Sequence, residues 1–168
     1  MARALIALGS NTGDRADNLA RALVALSTIK GTRVVATATT IETPPERPGD
    51  GGDFLNSAAL LETSLPPRAL LEHLLEIEDR LGRDRTRSGR GPRLIDLDLI
   101  LLGDLVRREP GLELPHPRFR SRRFVLEPAA EIAPDLVDPV TRRTVSSLLR
   151  LAPRPRVSEP AHGDRASS

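Results

Sequence analysis

Asp96 and Asp98 stand two residues apart inside the apolar run Leu94-Ile95-Asp96-Leu97-Asp98-Leu99-Ile100-Leu101-Leu102. Two carboxylates in such a run are costly unless something positive meets them. Alternation along a strand sends Ile95, Leu97, Leu99 and Leu101 to one face, and Asp96, Asp98, Ile100 and Leu102 to the other. The aspartates thus share a face, with Cα atoms about 6.6 Å apart from two rises of about 3.3 Å. Carboxylates so placed converge on a common cation or pair of cations. Mg²⁺ is the natural match, since it takes one or two carboxylates together with phosphate oxygens. A plainer reading, two solvated aspartates on the wet side of an edge strand, sits less well with Ile100 and Leu102 continuing that face. The pattern points to a metal and nucleotide centre.

Arginine supplies complementary charge. Of 25 basic residues only Lys30 is a lysine, although the formal net charge is no more than +2. Arg80, Arg83, Arg85, Arg87, Arg90 and Arg93 crowd the stretch before the aspartates, and Arg118, Arg120, Arg122 and Arg123 form a second group. Guanidinium forks present several fixed donors and suit phosphate oxygens. The chain has 168 residues, no cysteine, no apolar run long enough to span a membrane and no N-terminal signal pattern. One cytoplasmic domain over 1–151 is therefore expected, with a loose tail rich in Pro, Arg and Ser over 152–168. No exposed apolar stripe stands out, so a monomer is expected, without membrane partners.

These residues need elements to hold them. Residues 3–8 read as a strand ended by Gly9-Ser10-Asn11, and Asp14 to Ile29 as a helix with Asp14 as N-cap and Gly31 as stop. Arg33 to Glu42 reads as a strand, Thr43 to Asp53 as a long loop rich in Pro and Gly, and Phe54 to Thr63 as a further strand. Pro67 to Gly82 is an amphipathic helix with Leu70, Leu71, Leu74, Leu75, Ile77 and Leu81 on its inner stripe. After the Arg-rich loop 83–92 comes the strand 94–102 that bears the aspartates. The order predicts an α+β fold, a ferredoxin-like βαββαβ core whose antiparallel sheet carries helices on one face and leaves the other available. A short strand around 105–107, an extended stretch through Leu114-Pro115-His116-Pro117, and helices over 124–132 and 145–151 are additions to it.

Phe54, Phe119 and Phe124 are the only aromatic residues. Two rings brought together from distant segments sandwich a flat heterocycle well, and the amide of Asn56 beside Phe54 can read its polar edge. Packing in the core is the competing role for each ring. Several segments, in order, carry a resemblance: Ala7-Leu8-Gly9-Ser10-Asn11, Glu42-Thr43-Pro44-Pro45, Asp53-Phe54-Leu55-Asn56-Ser57-Ala58, Glu78 with Gly82-Arg83, Gly91-Pro92-Arg93-Leu94-Ile95-Asp96-Leu97-Asp98, and Leu114-Pro115-His116-Pro117-Arg118. Over roughly the first 150 residues the chain resembles the 6-hydroxymethyl-7,8-dihydropterin pyrophosphokinases of folate biosynthesis.

The resemblance implies transfer of the β,γ-diphosphate of ATP to the hydroxymethyl oxygen of 6-hydroxymethyl-7,8-dihydropterin, with release of AMP. It implies two Mg²⁺ ions on Asp96 and Asp98, the pterin between Phe54 and Phe124, and pterin recognition by Thr43, Pro44 and Asn56. Arg83 and Arg93 match arginines that act on the phosphates. Arg85, His116 and Arg122 match nucleotide-contacting positions, and Glu78 matches a further functional position on the nucleotide side. Asp98 or a metal-held group is the expected proton acceptor, and the loops 43–53 and 83–90 are expected to close over the site. Some relatives have Trp where this chain has Arg90, and Tyr where it has Pro117. Two other readings use the same residues. A ferredoxin-like RNA-binding module would suit the Arg clusters, but needs aromatics on an open sheet and no carboxylates there. A two-metal nuclease or nucleotide hydrolase would use the aspartates and have no need of Phe54, Asn56 and Phe124. Nucleic acid is accordingly not an expected partner.

Overall fold

In the computed structural model, which describes residues 1–49, 51–82 and 94–154, the opening apolar run becomes strand β1 (Ala2–Ser10). Its alternate residues serve two cores: Ala4, Ile6 and Leu8 face one, Leu5 the other. β1 lies between β4 (Phe54–Thr63) and β5 (Asp96–Leu102), and β2 (Thr32–Thr37) and the short β3 (Ile41–Thr43) both pair with β4. Every pairing in this five-stranded sheet is antiparallel. The predicted strand 33–42 is thus two pieces, separated where the chain crosses from one part of the β4 edge to the next.

Helix α1 (Arg15–Ser27) begins where Asp14 accepts the Asp17 N–H at 3.1 Å, a cap worth about 1 kcal/mol. It buries Leu19, Ala22 and Leu26. Helix α2 (Pro67–Arg80) starts on Pro67 and buries Leu70, Leu74 and Ile77. Both helices pack on the face of Ala4, Ile6, Leu8, Leu61 and Leu97. The opposite face, expected to remain available, is covered over Leu5, Ala58, Leu60 and Ile100 by α3 (Arg123–Ile132), α4 (Val145–Leu151) and the ring of Phe119. The cause lies in β4: its run Ala58-Ala59-Leu60-Leu61 is apolar on both sides, and both sides are buried.

Strict alternation along β5 also breaks. The register with β1 passes from Ile6↔Leu99 to Leu5↔Leu101, so Ile100 is an extra residue, a β-bulge. Leu102 consequently joins the α1/α2 core, and Leu101 the other, the reverse of the predicted faces. Asp96 and Asp98 precede the bulge and keep their common face. Beyond β5, the predicted single strand is a hairpin of β6 (Arg107–Glu109) and β7 (Leu112–Leu114), turned at Gly111 with φ of 76°. Leu112 and Leu114 pack into the α1/α2 core. No helix among the described residues is long and apolar enough to cross a membrane.

Candidate active site

The cleft forms at one end of the α3 face because the strands there carry a glycine between polar residues. Pairing puts Gly9 of β1 opposite Asn56 on one side and Asp96 on the other, and Ala7 opposite Ala58 and Asp98. A Cβ at Gly9 would lie 3.4 Å from both the Asn56 Oδ1 and the Phe54 Cδ1, so the floor is as low as a chain can make it. Phe54, Asn56, Asp96 and Asp98 stand around this floor, and the opening has a volume of about 380 Å³. Asn56 is buried, and its Nδ2 donates to the Thr43 hydroxyl at 2.7 Å, which fixes the amide plane. Thr43 and Pro44 form the adjacent wall, and Phe124 with Val125 of α3 the opposite one.

The loop after β3 is tied at both feet. Arg15, at the start of α1, meets Glu42 Oε1 at 2.8 Å and donates to the Asp53 carbonyl at 2.8 Å. Within the cleft, Glu46 of this loop reaches Arg122, with Oε1 and Nη2 3.0 Å apart. The Arg122 guanidinium lies 5.5 Å from the Phe124 ring centroid, and its Nε is buried without a hydrogen-bond partner among the described residues. Arg118, Arg47 and His116 complete the polar lining. Burial, then the charges of Arg122 and Arg118, lower the His116 pKa to about 4, against a smaller opposing pull from Asp96. The imidazole is therefore neutral at pH 7. Its Nδ1 accepts the Arg118 N–H at 3.3 Å, which leaves the ring proton on Nε2.

A second opening, of about 430 Å³, lies on the far side of β5 and shares Asp96, Asp98 and His116 with the first. Leu71 and Leu75 of α2, predicted for the core, are only half-buried because they line this opening together with Leu112. Glu78 also borders it, yet the residue is 1% exposed and its carboxylate accepts the Leu97 N–H at 3.0 Å. It thus holds the strand between the two aspartates. The His116 N–H does the same farther along, donating to the Ile100 carbonyl at 2.9 Å. Both contacts satisfy backbone groups on the outer edge of β5.

Of the predicted site residues, Thr43, Pro44, Phe54, Asn56, Asp96, Asp98, His116, Arg122 and Phe124 are brought together around one cleft. Glu78 borders the other opening, and Arg83, Arg85 and Arg93 lie outside the described residues. Phe119, the third ring, is fully buried in the core. Gly9, Arg118 and Glu46 line the cleft without having been singled out, although Arg118 belonged to the second Arg group. Among the described residues no three His, Asp or Glu side chains form a metal cage. The two aspartates, opening on both clefts, still suit Mg²⁺, which fills its remaining positions with water and phosphate oxygens.

Residues 5–134 match the sequence model of the family described as 7,8-dihydro-6-hydroxymethylpterin-pyrophosphokinase. The chain is 47% identical over 137 residues to the 2-amino-4-hydroxy-6-hydroxymethyldihydropteridine pyrophosphokinase of Methylorubrum extorquens, covering 82% of this chain and 86% of that one. The enzyme of the same name from Haemophilus influenzae is 40% identical over 139 residues, 83% of this chain and 86% of its own. Among solved structures, Plasmodium falciparum HPPK-DHPS with pteroate superposes at a TM-score of 0.69 with 13% identity, over 89% of this chain. This chain spans 42% of that protein, and the likeness is one of fold.

Proposed function

The chain belongs to the 7,8-dihydro-6-hydroxymethylpterin-pyrophosphokinase family, and we infer that the cleft over Gly9 is where its reaction is run. It is an ATP-dependent pyrophosphokinase of folate synthesis, transferring diphosphate from ATP to 6-hydroxymethyl-7,8-dihydropterin. The observation that carries the assignment of the site is the pair of openings meeting at Asp96, Asp98 and His116. A transfer reaction needs two substrates whose reacting atoms meet at one charged point. We place the pterin in the first opening, between Phe54 and Phe124, with its polar edge on Asn56 and Thr43. ATP takes the second, its base against Leu71, Leu75 and Leu112 and its phosphates directed toward the aspartates. We also read the sheet order, with a helix after β1 and another after β4, as a ferredoxin-like core.

The hydroxymethyl oxygen attacks the β-phosphorus as the bond from that phosphorus to the bridging α-oxygen breaks, and AMP leaves with the electron pair. In-line approach is set by holding the pterin ring and the nucleotide in separate walls. Mg²⁺ on Asp96 and Asp98, two ions in the reading from sequence, would offset the charge of the phosphates. Arg122 and Arg118 supply cationic donors, and neutral His116 offers its Nε2–H to a phosphate or ribose oxygen. Arg83, Arg85 and Arg93 are assigned to phosphate and nucleotide contacts on the resemblance alone. Asp98 takes the proton of the attacking hydroxyl, and Glu78 acts by holding the Leu97 N–H between the aspartates. Glu46 occupies Arg122 in the absence of phosphate and has to yield to it. A monomeric, cytoplasmic enzyme goes with this reading, and sedimentation of the purified chain checks the first of these.

An RNA-binding module loses its platform here, since α3 and α4 cover the sheet face it would use. The deciding experiment is chromatography of the products formed from ATP and the pterin with Mg²⁺. Equal amounts of AMP and pterin diphosphate are expected. ADP and a monophosphate, or ATP hydrolysis indifferent to the pterin, would overturn the reading.

A further inference from the structure

The turn that separates Arg118 from Arg122 is braced by a residue that lines neither opening. Asp138 is fully buried, and its carboxylate takes a fork from Arg120: Nε to Oδ2 at 2.5 Å and Nη2 to Oδ1 at 3.0 Å. The Val140 N–H at 3.0 Å and the Thr141 hydroxyl at 2.7 Å also donate to it. Backbone bonds from Asp138 N–H to the Arg143 carbonyl and from Arg142 N–H to the Asp138 carbonyl, both 2.9 Å, pin the turn that presents it. The Arg120 guanidinium carbon is 5.0 Å from the ring centroid of Phe119, itself fully buried. The Arg120 side chain is therefore held between a ring in the core and a buried carboxylate, two contacts that fix its direction.

The effect of this brace is visible along the chain. His116, Arg118, Arg122 and Phe124 line the cleft, whereas Phe119 and Arg120 between them turn the other way. Phe119–Ser121 is a single 3₁₀ turn, so the direction of Arg120 on its back sets where the flanking guanidiniums point on its front. We propose that Asp138 is a positioning residue for nucleotide binding, acting through Arg120 to hold Arg118 and Arg122 at the phosphates. The role rests on the proposed meeting of Arg122 with ATP. Asp138 lies past residue 134, where the family match ends.

The test compares wild type with Asp138→Asn, Arg120→Gln, the double variant and Arg120→Lys, after thermal melts establish that each is folded. KM for ATP is expected to rise about tenfold in both single variants and by the same factor in the double, because the two residues act as one unit. Both kcat and KM for the pterin should stay within about twofold of wild type, and Arg120→Lys should recover part of the ATP affinity. A merely structural role would lower kcat through loss of active enzyme and leave KM alone. That result, unchanged ATP KM in folded variants, or effects that multiply in the double variant, would overturn the proposal. Should Asp138→Asn not fold, Arg120→Gln with its Lys rescue decides by the same criteria, Arg120 being 28% exposed. If wild type released no AMP, the functional reading would fail by itself. The ATP Kd of the same proteins, from titration calorimetry, would still decide the brace.

Discussion

His116 is a neutral group among charges, and its environment makes a prediction about pH. Its pKa of about 4 in the folded protein compares with 6.5 in a free chain. As pH falls from 6.5 toward 4, the unfolded chain takes up a proton that the folded one refuses, so stability is present above that window and is lost across it. Thermal melts at pH 7 and pH 5 should show a larger loss for wild type than for His116→Gln, and equal losses would refute the account of this ring. Phe54 makes a second prediction. Its truncation to Ala should raise KM for the pterin about tenfold or more while leaving ATP affinity near wild type, since a stacked ring contributes about 0.5–1.5 kcal/mol beyond its burial and the lost burial adds to that. Steady-state kinetics with each substrate varied would show the split. The residues proposed for this work were legible where their type conflicts with their surroundings, as with two aspartates in an apolar strand. Gly9 was not, because a floor is recognisable only once Asn56 and Asp96 are seen beside it.

At the scale of elements, the loop between β3 and β4 is a strap with fixed feet and a charged tip. Arg15 holds the feet through Glu42 and the Asp53 carbonyl, and Glu46 at the tip meets Arg122. Glu46 is 53% exposed, so the pair is worth only a few tenths to about 1 kcal/mol. Removing it should therefore tighten ATP binding modestly: Glu46→Gln is expected to lower KM for ATP about two- to fivefold, and a rise would show that Glu46 assists the nucleotide instead. The Pro- and Gly-rich composition of the loop was readable, but not the partner of its carboxylate, which comes from a helix entrance far along the chain. Leu71 and Leu75 illustrate a related limit. Helical spacing puts them on the inner stripe of α2, and only the position of the β6–β7 hairpin reveals that this part of the stripe faces an opening. The bulge at Ile100 is likewise a product of pairing, absent from the residue pattern of β5 taken alone.

Taken whole, the described residues form a sheet buried on both faces over β1, β4 and β5, with the proposed site at the end where these strands carry Gly9, Asn56 and Asp96. Sequence reading placed the α1 and α2 layer and the helices over 124–132 and 145–151 correctly, and missed only the sheet face that α3 and α4 cover, because a split βαβ pattern does not specify where later helices dock. The apolar residues of α3 and α4 were visible; their target face was not. Ala152 is the last buried residue among those described, and the sequence reading ends the domain at 151. A chain ending at Arg154 is expected to melt within about 2–4 °C of the full one, the shift of about 1 kcal/mol for a domain of this size, and to keep its kcat. A larger drop would place part of the fold in 155–168. The central claim is that Asp96 and Asp98 hold the phosphates at the meeting point of two substrates. It is tested most directly by Mg²⁺-dependent AMP release in Asp96→Ala and Asp98→Ala, with pterin binding measured alongside. Loss of AMP release by about 10³-fold or more in both folded variants, with pterin affinity retained, is the predicted result. AMP release near the wild-type rate in either variant would contradict it.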